Sequence, residues 1–320
     1  MAKGSLPILL LTQPLFHVEP GLPHTDRFEF HKLWESPDKA SLFKKISSRC
    51  KAAIVRGEFT AADMDSLPNL RIISVCGVGY DGVDAGAAVS RGIQVSNTPD
   101  VLTEDVADLA LGLLLAAGRN IVQADKYVRQ GRWISDGDMA YNFRVQGKRL
   151  GIIGFGRIGK AIARRCLAMN MEIAYHNRKP REDVDFQYFR TPVELAAWSD
   201  YLLLATPGGA GTRHIVDTPV LKALGETGIL VNVGRGANVD QAALASALAN
   251  NTIAGAALDV LDGEPQVPPE LIENERNLIL QPHQASATYE TRQAMVDLAF
   301  DNIYASLEGK PLLTPVPESQ

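Results

Sequence analysis

Cysteine is scarce in this sequence, and the three that occur, Cys50, Cys76 and Cys166, are far apart and form no C-x-x-C pair. That spacing supports neither a zinc site nor a disulfide framework, so no metal is expected and a reducing, cytoplasmic compartment is. Long apolar runs are missing too. Pro7–Leu11 lacks a strong basic flank and a small-residue cleavage site, and reads as a buried first strand rather than a signal segment. Leu109–Gly118, held between Asp108 and Arg119, is too short to cross a bilayer and reads as a buried helix, so no membrane is expected as a partner. There is also no basic tract, and the formal net charge is −5. Nothing would neutralise a phosphate backbone, which argues against nucleic acid. Anionic metabolites stay open as ligands, because local fields decide that and net charge does not.

What is present is an ordinary globular composition, 46% hydrophobic and 22% charged over 320 residues. As a prior, that length means about two domains. In the first hundred residues the apolar runs Ile8–Leu11, Ala52–Val55, Ile72–Val75 and Ile93–Val95 alternate with helix-compatible segments such as Lys39–Ser48 and Asp84–Ser90. Strands alternating with helices predict a parallel sheet covered on both faces. From Lys148 the alternation restarts. Strands are predicted at Arg149–Ile153, Glu172–Tyr175, Tyr201–Ala205, Ile229–Val233, Ile253–Val260 and Leu278–Leu280, with helices at Arg157–Ala168 and Gln241–Ala249. Six strands with intervening helices match a doubly wound dinucleotide fold. Leu102–Gln130 reads as two helices bridging the two halves. A last helix, about Thr291–Leu307, puts Met295, Leu298, Ala299 and Ile303 on one face and must pack outside the six-strand unit.

Gly154-Phe155-Gly156-Arg157-Ile158-Gly159 follows the strand Arg149–Ile153 and opens a helix. Gly154 allows the tight turn, Gly156 lets backbone approach a pyrophosphate, and Gly159 lets the helix pack on the strand. The alternative for such a motif alone is a structural turn, but here the surrounding strands and helix supply the Rossmann context. An acid gripping an NAD ribose is expected at the end of the second strand. That strand instead ends in His176-Asn177-Arg178-Lys179. Cations there suit a 2′-phosphate, the alternative being a solvated surface turn. NADP(H) is therefore the preferred cofactor, with NAD(H) second.

Hydride transfer to a carbonyl also needs a proton donor, a cation for the acid's carboxylate and a group to orient the donor. Of six histidines, His283 stands just after the sixth predicted strand, in Gln281-Pro282-His283-Gln284-Ala285-Ser286. Arg235 follows the fourth, in Asn232-Val233-Gly234-Arg235-Gly236, where the flanking glycines permit close backbone approach to a ligand. Glu264 follows the fifth; a carboxylate at imidazole distance would favour the charged ring and fix its tautomer. Singly, these read equally as a structural histidine, a surface cation and an acidic loop residue. Together they sit at neighbouring strand ends, where ligands bind in open α/β sheets.

With Gly77-Val78-Gly79-Tyr80-Asp81, Gly151 to Gly159, Asn232 to Asp240, Leu258 to Pro265 and Pro282 to Ser286 in this order, the chain closely resembles the D-isomer-specific 2-hydroxyacid dehydrogenases. The resemblance implies that Arg235 binds the substrate carboxylate and that Glu264 and His283 form the orienter and proton-donor pair. It implies that the backbone N–H groups of Val78 and Gly79 also hold the carboxylate, a turn that is chemically an anion nest. Ser286 joins the substrate contacts. Asp259 is expected to hold the nicotinamide carboxamide, with Thr206, Pro207, Thr212, Val233 and Ala285 as further cofactor contacts beside Phe155, Arg157, Ile158, Asn177, Arg178 and Lys179. It further implies an NAD(P)-binding Rossmann domain, 101–287, inserted in a discontinuous flavodoxin-like α/β substrate domain, 1–100 plus 288–320. A homodimer is implied, with Asn120–Asn142 at the contact. Trp133 is expected to reach a neighbouring subunit's site or to anchor the interface.

The strand tip, Thr206-Pro207-Gly208-Gly209 and Trp133 resemble glyoxylate/hydroxypyruvate reductases and 2-ketogluconate reductases. The expected reaction is NADPH-dependent reduction of a small 2-oxo acid to the D-2-hydroxy acid. The alternatives are an NAD-linked dehydrogenase working oxidatively and a dinucleotide-sensing corepressor-like protein without catalysis.

Overall fold

The computed structural model describes residues 6–15 and 24–320; of the six histidines counted in the sequence, one, His17, lies outside them. The chain divides into two units, Met1–Leu102 with Ala287–Gln320, and Thr103–Ser286.

In the first unit, strands β1 (Ile8–Leu11), β2 (Glu29–Lys32), β3 (Cys50–Val55), β4 (Ile72–Val75) and β5 (Gln94–Ser96) form one sheet in the order β2-β1-β3-β4-β5. All its pairings are parallel. That is the flavodoxin-like order. Every residue of β1 and β4 is buried, as expected of strands covered on both faces. β2 went unread in the sequence because Glu29-Phe30-His31-Lys32 is half-buried and polar, an edge strand without an apolar run. Helices α1 (Lys39–Ile46), α2 (Ala61–Asp65) and α3 (Ala85–Ser90) each start on a capping side chain, from Asp38, Thr60 and Asp84. Those oxygens satisfy N–H groups the helix itself cannot.

The second unit opens with α4 (Thr103–Gly118), α5 (Ile121–Arg129) and α6 (Arg132–Ser135). The two long helices expected at Leu102–Gln130 thus belong wholly to this unit, and α4 packs on strands of its sheet. Its strands are β6 (Arg149–Ile153), β7 (Glu172–His176), β8 (Gln187–Tyr188), β9 (Tyr201–Leu204), β10 (Ile229–Asn232), β11 (Gly255–Leu258) and β12 (Leu278–Leu280), with helices α7 (Arg157–Leu167), α8 (Pro192–Trp198), α9 (Thr218–Leu224), α10 (Gln241–Ala249) and α11 (Pro269–Ile272) between them. The order is β12-β11-β10-β9-β6-β7-β8, parallel throughout. This is the doubly wound Rossmann order with one strand added at the β12 edge. Seven strands stand where the sequence predicted six, because β8 is only two residues long. The topological switch lies between β6 and β9, where the order of strands along the chain reverses.

Returning to the first unit, α12 (Tyr289–Leu307) buries Met295, Val296, Ala299, Phe300 and Ile303 and packs on β3, β4 and β5. Its partner is therefore the first sheet. Leu298, expected on the same face, is half-buried.

Leu230 lies at the centre of β10 and is fully buried in the second unit's core with Leu202, Leu204 and Ala256. Leu230→Ala should lower stability by about 2–5 kcal/mol, because the cavity closes only in part. A drop in the chemical-denaturation midpoint, followed by circular dichroism, checks this.

Candidate active site

The Gly-rich turn leaves β6 with Gly154 at φ +94°. A Cβ there would lie 2.8 Å from the Ala205 carbonyl carbon and the Thr206 nitrogen, in the loop after β9. The two loops of the switch point therefore touch backbone to backbone. A Cβ on Gly159 would lie 2.4 Å from the Gly154 oxygen, so α7 packs directly on the turn. At Gly156, the N-cap of α7, a Cβ would meet nothing within 4 Å. Two glycines thus serve protein packing, while the third opens onto free space at a helix N-terminus, where backbone N–H groups favour an anion. The residues fit a dinucleotide pyrophosphate.

The Phe155 side chain is fully buried, 4.9 Å from the Tyr175 ring and 5.5 Å from that of Phe186. Its N–H donates to Asn177 Oδ1 at 2.7 Å. Phe155 and Asn177, for which the sequence predicts cofactor contacts, tie the Gly-rich turn to the tip of β7. Arg178 and Lys179 follow, both exposed and without an ion pair among the described residues. Beyond β9, Thr206 is buried, and the Thr212 hydroxyl donates to the Pro207 carbonyl at 2.9 Å.

Arg235 lies after β10 on a turn braced by the buried side chain of Asn232. The Gly234 N–H donates to Asn232 Oδ1 at 3.0 Å, and Asn232 Nδ2 donates to the Arg235 carbonyl at 2.9 Å. The glycines flanking Arg235 face protein backbone. A Cβ on Gly234 would lie 2.6 Å from the Thr206 oxygen, and one on Gly236 only 1.8 Å from the Leu261 carbonyl carbon. Rather than opening onto a ligand, as the sequence predicts, they let the arginine turn wedge between two neighbouring loops. Asn238, also buried, donates to the Thr206 carbonyl at 3.0 Å. Gln241 exchanges two hydrogen bonds of 3.2 Å with the backbone of Asp262.

The loop held this way carries Glu264. Its Oε1 lies 2.6 Å from His283 Nδ1, and its Oε2 accepts the Leu261 N–H at 3.2 Å. Burial raises the Glu264 carboxyl, but the bond and charge of His283, the Leu261 N–H and the Arg235 charge outweigh it and bring it below its ordinary value. Arg235 thus belongs to the same electrostatic group. His283 sits at φ +55°, a left-handed conformation that is costly for a residue with a Cβ and is kept only when its surroundings fix it. Asp259 supplies those surroundings. Its carbonyl accepts the His283 N–H at 2.9 Å, and its buried carboxylate accepts the N–H groups of Gln284 at 2.7 Å and Ala285 at 3.1 Å. Burial nonetheless holds the Asp259 carboxyl above its ordinary value, against those two bonds. This bracing role was not read from the sequence, where only a carboxamide contact was expected of Asp259. Val233, Ala285 and Ser286 are buried beside these turns.

The structure therefore gathers Arg235, Glu264 and His283 at successive strand ends. Trp133 is not bonded within this group. It lies on α6, 62% exposed, with its indole N–H donating to Asp138 at 3.3 Å. In the first unit, the turn after β4 presents Val78 and Gly79. It is held by Asn97, whose amide donates to the Val78 carbonyl at 2.8 Å, and by the Thr98 N–H on the Gly77 carbonyl at 2.9 Å. Asn97, Asn232, Asn238 and Gln241 were not singled out beforehand. For Asn232, Asn238 and Gln241 the only sequence signal is an amide side chain in or beside the motif that holds Arg235; Asn97, far along the chain from the turn it holds, has none.

Residues 111–285 match the model of the NAD-binding domain of D-isomer-specific 2-hydroxyacid dehydrogenases. Similarity runs well beyond that segment. A glyoxylate/hydroxypyruvate reductase A of Arabidopsis thaliana is 47% identical over 293 residues, covering 91% of this chain and 93% of that protein. The chain belongs to this family of dehydrogenases. A 2-ketogluconate reductase of Gluconobacter oxydans is 46% identical over 79% of this chain and 81% of its own length. Among solved structures, an NADPH-dependent glyoxylate/hydroxypyruvate reductase of Sinorhizobium meliloti, in complex with NADP and malonate, superposes with a TM-score of 0.91 at 44% identity, covering 98% of each chain. The enzyme is thus an NAD(P)-dependent oxidoreductase acting on 2-hydroxy or 2-oxo acids. No helix among its described residues is long and apolar enough to cross a membrane.

Two outcomes are expected. Gly236→Ala forces the arginine turn away from Leu261 and should cost about 1–3 kcal/mol of stability together with most activity, read by denaturation and turnover on the same preparation. A carboxyl held below its ordinary value of 4.5 stabilises the fold above that pH and ceases to as pH falls through its folded value. The stability difference between wild type and Glu264→Gln should therefore shrink below pH 4.5, as measured by denaturation across a pH series.

Proposed function

We propose that this enzyme reduces a small 2-oxo acid to the D-2-hydroxy acid with NADPH, with glyoxylate and hydroxypyruvate first among substrates and 2-ketogluconate next. The observation that carries the reading is the bond of 2.6 Å between Glu264 Oε1 and His283 Nδ1 in the electrostatic group of Arg235. Support for the substrates comes from relatives that are reductases of glyoxylate, hydroxypyruvate and 2-ketogluconate. Support for the cofactor comes from Arg178 and Lys179 at the tip of β7 and from the NADP held by the Sinorhizobium meliloti enzyme.

A bound nicotinamide supplies the hydride that reaches substrate C2. Arg235 pairs with the substrate carboxylate and draws charge from the carbonyl, and the N–H groups of Val78 and Gly79 add donors to that carboxylate. Glu264 engages His283 Nδ1, which leaves Nε2 to carry the proton to the carbonyl oxygen. Asp259 fixes the turn on which the histidine stands and is the proposed contact for the nicotinamide carboxamide, with Thr206, Pro207, Thr212, Val233 and Ala285 around the cofactor. Gly154, Gly156, Arg157, Ile158 and Gly159 present α7 to the pyrophosphate, and Ser286 joins the substrate contacts. The domain division follows the same reading, with 101–287 holding the cofactor and 1–100 plus 288–320 contributing to substrate binding.

The enzyme is proposed to be a homodimer, because Trp133, Ile134, Tyr141 and Phe143 expose large apolar side chains over one short segment. Such patches mark interaction surfaces. A cytoplasmic location fits the three free, buried thiols.

His283→Asn should abolish turnover while leaving cofactor affinity intact, as read by NADPH oxidation and by fluorescence titration. Retained turnover would sink the proton-donor role. Arg178→Ala should weaken NADPH binding by about tenfold and spare NADH, since charge-assisted bonds to a phosphate are lost. A panel of 2-oxo acids, run with both cofactors, tests the substrate group. Tight NADPH binding without turnover on any member would favour a dinucleotide sensor instead.

A further inference from the structure

The segment that follows the tip of β7 carries cations with two different fates. Arg178 and Lys179 are exposed and free of ion pairs among the described residues, whereas Arg181 is engaged by Asp183. Arg181 Nε donates to Asp183 Oδ1 at 2.7 Å, and Nη2 to Oδ2 at 2.9 Å. The same carboxylate takes Lys160, from the first turn of α7, on Oδ2. Asp183 thus stands in a two-cation clamp, with one cation from the helix that opens after the Gly-rich turn and one from the segment beyond the β7 tip. Those two elements are already tied together by the bond from Phe155 N–H to Asn177 Oδ1. The segment itself is fixed independently of the clamp. The Arg181 N–H donates to the Tyr175 hydroxyl at 2.8 Å, and the Tyr188 hydroxyl donates to the Asn177 carbonyl at 3.2 Å. The bonds from Arg181 and Lys160 hold the Asp183 carboxyl well below the usual carboxylate range, so it is ionised at neutral pH.

We propose that Asp183 is the internal counter-ion of the 2′-phosphate subsite, a carboxylate that competes with the cofactor phosphate for Arg181 and Lys160 and so sets how strongly the enzyme prefers NADPH to NADH. This rests on the reading that the β7 tip binds a 2′-phosphate. Arg178 and Lys179 attract that phosphate directly, whereas Arg181 and Lys160 reach it only by leaving Asp183. On the same reading, the Asp183 charge repels a dianionic group and leaves an uncharged ribose hydroxyl unaffected. The clamp is exposed, and surface ion pairs of this kind contribute little to stability. Exchange of a carboxylate for a phosphate is therefore open to Arg181 and Lys160, and removing the carboxylate should leave the fold intact.

The test is the dissociation constant for NADPH and NADH, measured by fluorescence titration on wild type, Asp183→Asn, Arg181→Ala and the double variant, over a series of salt concentrations. Asp183→Asn should tighten NADPH binding about fivefold with NADH almost unmoved, by the Coulomb effect of one charge on a dianion. Its NADPH affinity should also fall more steeply with salt than that of wild type. In the Arg181→Ala background the gain should shrink, because one of the released cations is gone. The proposal is overturned if Asp183→Asn leaves the ratio of NADPH to NADH affinity unchanged, or if it weakens NADPH. Failure of the underlying reading looks different: wild type would then bind the two cofactors equally, and Arg178→Ala would weaken both alike. A wild type that prefers NADPH, with a ratio that Asp183→Asn does not move, defeats the counter-ion role alone.

Discussion

Loops that leave neighbouring strands of a parallel sheet emerge about 5 Å apart, the spacing of the strands themselves. To stay ordered there, they must pack main chain against main chain. In the second unit this happens at Gly154 against Ala205 and Thr206, at Gly234 against Thr206, and at Gly236 against Leu261 and Asp262. The chain after β6, β9, β10 and β11 is therefore one continuous backbone-packed layer. Arg235 and Glu264 are fixed because the loops carrying them have no room to move independently. His283 joins that layer through Asp259, whose carbonyl and carboxylate take three consecutive N–H groups. Pre-organisation of the site follows from close packing at the sheet's carboxyl end.

Electrostatics refine what packing positions. Glu264 is drawn below its ordinary value by His283, Leu261 and Arg235 despite its burial, while Asp259, with no cation bonded to it among the described residues, is raised by burial. Two carboxyls five residues apart are thus pushed in opposite directions. The one facing the imidazole is favoured in its charged form by that neighbour. The buried one is tied to backbone, which suits a structural brace.

Much of this was legible in the sequence, and the gaps have physical causes. Strands with apolar runs, such as Leu202–Leu204 and Ile229–Val231, announce themselves because both faces are buried. β2 and β8 do not, since an edge strand needs no apolar run and two residues carry no periodicity. The Gly-rich turn, Arg235, Glu264 and His283 could be singled out because a motif or a strand end gives them an address. Asn97, Asn238 and Gln241 bond segments distant in sequence, and Asn232 braces the turn just after it; no local pattern reports either kind of bond. The glycines around Arg235 were noticed, but sequence cannot say whether a missing Cβ makes room for a ligand or for another stretch of chain. Likewise Arg178 and Lys179 were visible as cations, whereas the engagement of Arg181 by Asp183 depends on a turn of the chain that only the structure displays.

The left-handed backbone at His283 also constrains the history open to this fold. Most side chains lose about 1–2 kcal/mol in that conformation, while Asn and Asp tolerate it better and Gly adopts it freely. A lineage that gave up the imidazole yet kept the turn would do so with least strain at one of those three residues. None of them can shuttle a proton near neutral pH as the ring does. Such a descendant would keep the Gly-rich turn, the braced arginine and the strand-tip cations, and would carry at this turn no side chain that titrates near neutrality. At this position the main chain already in place, rather than the side chain, sets which replacements the turn accepts without strain.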